Sequence, residues 1–245
     1  MSAALITEPI AEASPLSTAN IAGAFYLTSI LTGGAAAFVR WRLFQSGDAA
    51  ATATNILAHA PLFWIVFAAD LISILCYVAV TVLFYDMFKP VNKRVSLLTA
   101  FFSIMGCAIV AIGCLFHIAA WLVLRGAQYL DILAAVEPLR TVALMCLKLQ
   151  AQAYNVSLVF FGFYCLLIGY LIFKSTFLPR ILGMLMAIAG LGWLTVLSPL
   201  LAKYLWPYIA APGVIGEGTL TLWLLVIGVN AERWKEQAST AGSSR

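Results

Sequence analysis

Three ionisable side chains interrupt otherwise apolar stretches of this chain: Asp70, His117 and Glu217. At bilayer depth such a group costs about 2.5–3.5 kcal/mol on insertion scales, so it normally faces protein and marks a pathway or a site. Counted inward at about 1.5 Å per residue, each is expected roughly 10–12 Å below the outer end of its segment. Arg40, Lys148, Gln152 and Asn155 fall at shallower positions on the same side, and Tyr77 shares a helical face with Asp70. In the inner half of the apolar segments the only charged side chain is Asp86, close to a basic connection. Polar groups crowded into one leaflet can relieve one another's desolvation cost, which predicts an outward-facing polar vestibule.

Three kinds of chemistry are open to such a cluster. It could bind or pass a small solute or proton. It could use Asp70, Glu217 and His117 as metal or acid–base groups of a membrane-embedded enzyme. Or it could only lock helices together, as in a structural or partner-binding subunit. Metal ligation lacks the usual spacing, because no HExxH is present and His59 and His117 are the only histidines. Ser73 and Ser157 sit in no GxSxG motif. Gly216-Glu217-Gly218 and Gly33-Gly34 follow no strand, so they are not nucleotide loops. No cofactor is expected. Cys76, Cys107, Cys114, Cys146 and Cys165 all lie in apolar runs without CxxC spacing and read as small buried hydrophobes.

Composition defines the elements that must position these groups. Of 245 residues, 63% are hydrophobic and 10% charged, far from the roughly 25% charged residues of soluble domains. The chain therefore reads as an all-α polytopic membrane bundle whose main partner is the lipid bilayer. Its 14 basic and 10 acidic residues form no block suited to nucleic acid. Apolar runs long enough to cross about 30 Å of hydrocarbon recur at 21–43, 62–88, 95–124, 147–173, 179–202 and 209–231, which predicts six spans. Residues 1–19 read as a cytoplasmic tail, residues 20–231 as the six-helix domain and 232–245 as a second cytoplasmic tail. The first of these carries Glu8 and Glu12 but no Lys or Arg, so it lacks the basic start of a cleavable signal peptide.

Orientation follows the basic connections. Lys89, Lys93 and Arg94, then Lys174 and Arg180, then Arg233, Lys235 and Arg245 are assigned to the cytoplasm, placing both termini inside and leaving Arg40, Arg42, Arg125, Arg140, Lys148 and Lys203 outside, a bias of eight against six. The first outer connection is itself patterned. Ser46 or Asp48 can cap a helix, Pro61 closes it, and Asp48, Thr52, Asn55 and His59 recur as a polar stripe opposite Ala53, Ile56 and Ala60. A short amphipathic helix is expected there, with its stripe either in water or turned down as an outer lid. The second outer connection, with Asp131, Glu137 and Pro138, suggests a short helix over 127–136.

Within the spans, Asp70, Ser73, Tyr77, Thr81 and Tyr85 line one face, and Ser103, Gly106, Gly113 and His117 line another. Gly162 and Gly169, and the seam of Gly183, Ala187 and Gly190, suit close helix approach. Prolines in KPVNKR (89–94) and near the Pro179-Arg180 step stop one helix and start the next.

Several runs together resemble the bacterial integral membrane family catalogued as domain of unknown function 4386. They are NIAGAFY (20–26), GDAAATATNILAHAPLF (47–63), Asp70, FYDMFKPVNKR (84–94), FFGFYCLLIGYLIFKSTFLPRILG (160–183) and IGEGTLTLWLLVIGVN (215–230). The resemblance implies a bacterial multi-pass protein of the cytoplasmic membrane, with signature residues Gly47, Asp48, Asn55, Asp70, Pro90, Asn92, Pro179, Arg180, Gly183 and Glu217. It implies no activity. Trp64 and His117 depart from the family pattern, which weakens a charge relay through either position.

Overall fold

The computed structural model describes residues 14–44, 47–128, 133–205, 208 and 210–243, and those described residues contain helices and no strand. The first helix, α1 (Pro15–Leu43), starts where Ser14 accepts from the Ser17 amide and Pro15 supplies a helix-ready φ. It is followed by α2 (Ala49–Ala58), α3 (Ala60–Phe88), α4 (Lys93–Gln128) and α5 (Leu133–Lys174). After these come α6 (Arg180–Leu194), α7 (Pro199–Leu205), α8 (Ala210–Val226) and α9 (Ala231–Ser243). Among the described residues five helices are long and apolar enough to cross a membrane: α1, α3, α4, α5 and α6 with the 3-10 turn that extends it. The sixth, α8, is 17 residues long and turns through 103° into α9.

Pairwise packing closes the six into a ring in the order α1, α3, α4, α5, α6, α8 and back to α1. Small residues make the close approaches. A Cβ on Gly169 would lie 2.7 Å from the Gly183 carbonyl oxygen, and one on Gly190 would lie 2.6 Å from that of Gly162, so the expected α5–α6 seam exists. On the other side of the ring Gly23 of α1 meets Leu225 of α8 at 2.9 Å on the same measure.

Two apolar clusters fill the ring. One, toward the end that carries α9, includes Tyr26, Phe84, Phe88, Tyr164, Ile168, Ile172, Met186, Leu220 and Leu224. The other, toward the end that carries α2, includes Ala53, Ile56, Phe63, Ala120, Leu124, Ala143 and Leu147.

Three expected boundaries are corrected. The helix that carries the fourth apolar run, expected to start outside the membrane near Arg140, begins at Leu133, because the periodic apolar pattern continues outward and Pro138 is accommodated in the second turn. No separate short helix over 127–136 is found among the described residues: α4 runs to Gln128 and α5 starts at Leu133, while 129–132, with Asp131, lie outside the described residues, as does Ser46. The fifth span does not run unbroken to 202, since α6 ends at Leu194, a 3-10 turn covers Thr195–Leu197, and Pro199 opens α7. Proline has no amide hydrogen to continue the ladder, so the break falls just before it.

Residues 232–243, read from sequence only as a tail, form most of α9. Gly228, at φ +72°, makes the turn into it, and a Cβ there would lie 2.3 Å from Leu16. Trp234 then donates from its indole nitrogen to the Met87 carbonyl at 2.9 Å. Gln237 accepts from the Thr176 amide at 3.1 Å, which ties α9 to the α5–α6 connection. Thr176, Arg233, Glu236, Gln237 and Thr240 line a shallow hollow on that face.

Candidate functional site

The polar stripe of α3 faces protein along its length, as its spacing predicts. Asp70 accepts from the Arg40 guanidinium on α1. One turn on, Ser73 exchanges hydrogen bonds with Ser29 at 3.0 Å. Tyr77 then meets the Tyr26 hydroxyl at 3.4 Å, and Thr81 pairs with Ser103 on α4. An Arg–carboxylate pair is the arrangement that lets a charge sit this deep, since neither partner is then left bare. The residues of α1 that answer the stripe recur at the same helical spacing, which is why the two helices pack along so much of their length.

His117 performs a different task. It is fully buried, its ring stacks on Phe63 with centroids 3.7 Å apart, and Nε2 lies 3.1 Å from the Phe63 carbonyl oxygen. A carbonyl only accepts, so Nε2 carries the hydrogen and Nδ1 is left as an acceptor. Gln150 of α5 is its polar neighbour. His117 therefore ties α4 to the start of α3 through a hydrogen bond and an aromatic stack.

Glu217 lies in the other tier. One carboxylate oxygen accepts from the Tyr26 hydroxyl at 2.7 Å, and the other accepts from the Trp193 indole at 2.8 Å, with the Cys165 thiol at 3.8 Å. Among the described residues no cation lies within ion-pair distance of it. Tyr77, whose hydroxyl touches Tyr26, is seven residues from Asp70 on α3, which is about 10 Å along the axis. The expectation of one common level for Asp70, His117 and Glu217 is thus corrected to two tiers. A count from the outer end of α8 underestimates the depth of Glu217, whose carboxylate meets Tyr26 beside Tyr77 and not beside Asp70.

Between the tiers stands Tyr154. On α5 the residues Ala143, Leu147, Gln150, Tyr154, Ser157, Phe161, Tyr164 and Ile168 alternate by four and three, which places them on one helical face. All are buried except Phe161, which is half-buried, and Tyr154, which is 43% exposed. Tyr154 is also within electrostatic reach of Glu217, Arg40 and Asp70. Tyr154 is thus the one exposed residue in an otherwise buried or half-buried row.

Three other candidates do not share the Tyr154 face. Lys148 and Gln152 are exposed and Asn155 is half-buried. All three lie roughly 100–160° round α5 from Tyr154, where Asn155 donates to Gln152 at 3.5 Å.

The stripe of α2 also divides. Asp48 caps the helix by accepting from the Ala51 amide at 2.8 Å. His59 closes the other end, with Nδ1 3.0 Å from the Asn55 carbonyl oxygen, and Asn55 donates to the Leu43 carbonyl at 3.4 Å. Only Thr52 of the stripe is buried, beside Ala53 and Ile56, on the face that meets Leu124, Arg140 and Leu147. The apolar face of α2, not its polar stripe, is what it presents to the bundle.

Tyr26, Trp193 and Gln150 were not identifiable as site residues from spacing. The available signal was chemical: a tyrosine hydroxyl or indole N–H inside an apolar span needs a partner. Metal ligation gains no geometric support, since among the described residues no three His, Cys, Asp or Glu side chains come together in a metal-holding group.

A ring of apolar helices enclosing two polar tiers defines a polytopic helical membrane protein. Within that class, the chain belongs to the family described as Domain of unknown function (DUF4386), whose model matches residues 21–228 and so takes in every helix of the ring and both tiers. It is also similar to an uncharacterized protein of Archaeoglobus fulgidus, 28% identical over 154 residues, covering 62% of this chain and 76% of that protein. No solved structure matches significantly.

Proposed function

We propose that this protein binds a small solute in a polar vestibule open at the α2 end, and passes that solute or a proton by way of Glu217. The carrying observation is Tyr154, exposed on the ring-facing side of α5 between the Arg40–Asp70 pair and Glu217. The opposite end supports a closed side, where Tyr26, Phe84, Phe88 and Ile172 pack together and α9 crosses the helix ends. An arrangement open at one end and packed at the other suits alternating exposure of a site better than a continuous pore.

In this reading the α2 end faces outward and both termini face the cytoplasm of a bacterium, across its inner membrane. The basic residues Lys89, Lys93, Arg94, Lys174, Arg180, Arg233 and Lys235 gather at the α9 end, as cytoplasmic loops require.

Proteoliposomes holding a trapped pH-sensitive dye, with the membrane potential clamped by a potassium ionophore, test passage of protons. The wild-type protein should admit protons faster than protein-free vesicles, and Glu217→Gln should fall to the vesicle rate while eluting as a folded species. A Glu217→Gln rate equal to that of wild type, or a wild-type rate equal to that of empty vesicles, contradicts proton passage through this group.

A further inference from the structure

We propose that the deeper tier binds a small organic ammonium ion, held by the Glu217 carboxylate and faced by the rings of Tyr154, Tyr77 and Trp193. This rests on the vestibule described above and names the class of solute it takes.

The charge balance comes first. Arg40 and Asp70 cancel one another as an ion pair, whereas Glu217 has hydrogen-bond donors around it and no positive partner among the described residues. A carboxylate at this depth is costly without a counter-charge, so an incoming cation is favoured and an anion is opposed.

The surroundings then choose among cations. Small hard metal ions need a shell of several oxygens, and the Glu217 oxygens here are already engaged by the Tyr26 hydroxyl and the Trp193 indole. What surrounds the carboxylate is aromatic. The Tyr26 and Tyr77 rings meet edge to face at 5.4 Å, Tyr77 lies 4.9 Å from Phe161 and 5.7 Å from Tyr164, and Trp193 donates its indole N–H to Glu217 at 2.8 Å. Ring faces attract ammonium groups through their quadrupoles, and several rings around one negative charge is the usual way such cations are recognised.

Two further features fit. Tyr154 is exposed and within electrostatic reach of Glu217, which adds a further ring near the carboxylate. The Tyr164 hydroxyl is buried beside Tyr77 and within electrostatic reach of Glu217. Its oxygen adds a further partial negative charge beside a bound cation, whether or not that cation carries an N–H.

The test uses the full chain in detergent micelles, titrated calorimetrically at constant ionic strength with tetramethylammonium, with choline, and with 3,3-dimethyl-1-butanol, the neutral isostere of choline. Saturable binding of both cations and none of the alcohol is expected. Glu217→Gln should weaken cation binding at least about tenfold, as loss of a buried charge partner does. Tyr154→Ala should weaken it and Tyr154→Phe should retain it, so the aromatic wall can be tested even where Glu217→Gln fails to fold. Equal binding of choline and its isostere, binding of neither cation, or undiminished binding by the Tyr154→Ala protein overturns the proposal. Reaction of Tyr154→Cys with an external thiol reagent separates the two ideas: labelling without cation binding refutes the ammonium site alone, and no labelling refutes the vestibule with it.

Discussion

Truncating Asp70 is the perturbation whose consequence the structure specifies most closely. Asp70→Ala removes the carboxylate that answers the Arg40 guanidinium, whose Nε already has no partner. Stripping one member from a buried ion pair costs about 3–5 kcal/mol, because the other charge stays behind uncompensated. Here the side chains keep 20% and 11% of their surface exposed, so partial hydration lowers the expected loss to about 2–3 kcal/mol. Arg40→Met should cost less, since a carboxylate near the open end can recruit water. The double variant, Arg40→Met with Asp70→Leu, should recover most of the stability, giving a coupling of about 1.5–3 kcal/mol. Unfolding by sodium dodecyl sulfate in mixed micelles, followed by the loss of helical ellipticity, measures all four proteins. Single losses that add within about 0.5 kcal/mol in the double variant would refute the coupling and with it the pair as the anchor of α1 on α3.

Two other outcomes follow from packing and from the α9 anchor. Gly169→Ala should destabilise the protein by about 1–3 kcal/mol, because its new methyl meets the Gly183 carbonyl oxygen at 2.7 Å, whereas Gly34→Ala, with nothing within 4 Å, should be neutral or mildly stabilising. Equal effects at the two positions would contradict the interlocked α5–α6 seam. Trp234→Ala removes the bond to the Met87 carbonyl, and hydrogen exchange should rise across Ala231–Ser243 while α8 keeps its protection. Unchanged exchange in α9 would mean that other contacts hold it.

Much of the architecture is legible in the sequence because bilayer physics leaves few choices. A 20-residue apolar run must be a helix, a stripe such as Asp70, Ser73, Tyr77 and Thr81 must face protein, and glycines at helical spacing must meet a neighbour. Each of these is found. What periodicity lacks is the third dimension. It gives the angle of Gln152 on its own helix but not the direction of the ring centre, so Lys148, Gln152 and Asn155 look equivalent to Tyr154 until the packing order is known. It gives distance from a segment's end but not where that end sits, which is why the short α8 carries Glu217 about two turns deeper than Asp70. Nor does it say which partner satisfies a lone polar group. His117 uses a backbone carbonyl of α3, and Glu217 uses a tyrosine and a tryptophan that sequence spacing does not link to it.

The interior opening proposed beside Tyr154 is the feature on which the functional reading depends, and its accessibility can be measured directly. In a background where the half-buried Cys76 and Cys146 are replaced by alanine, Tyr154→Cys is treated in intact vesicles with a membrane-impermeant methanethiosulfonate on the α2 side and analysed by intact mass. Stoichiometric labelling is predicted at this position, with none for Ile168→Cys on the same face of α5, where the bundle is closed. Equal protection of both positions would contradict an opening within the ring.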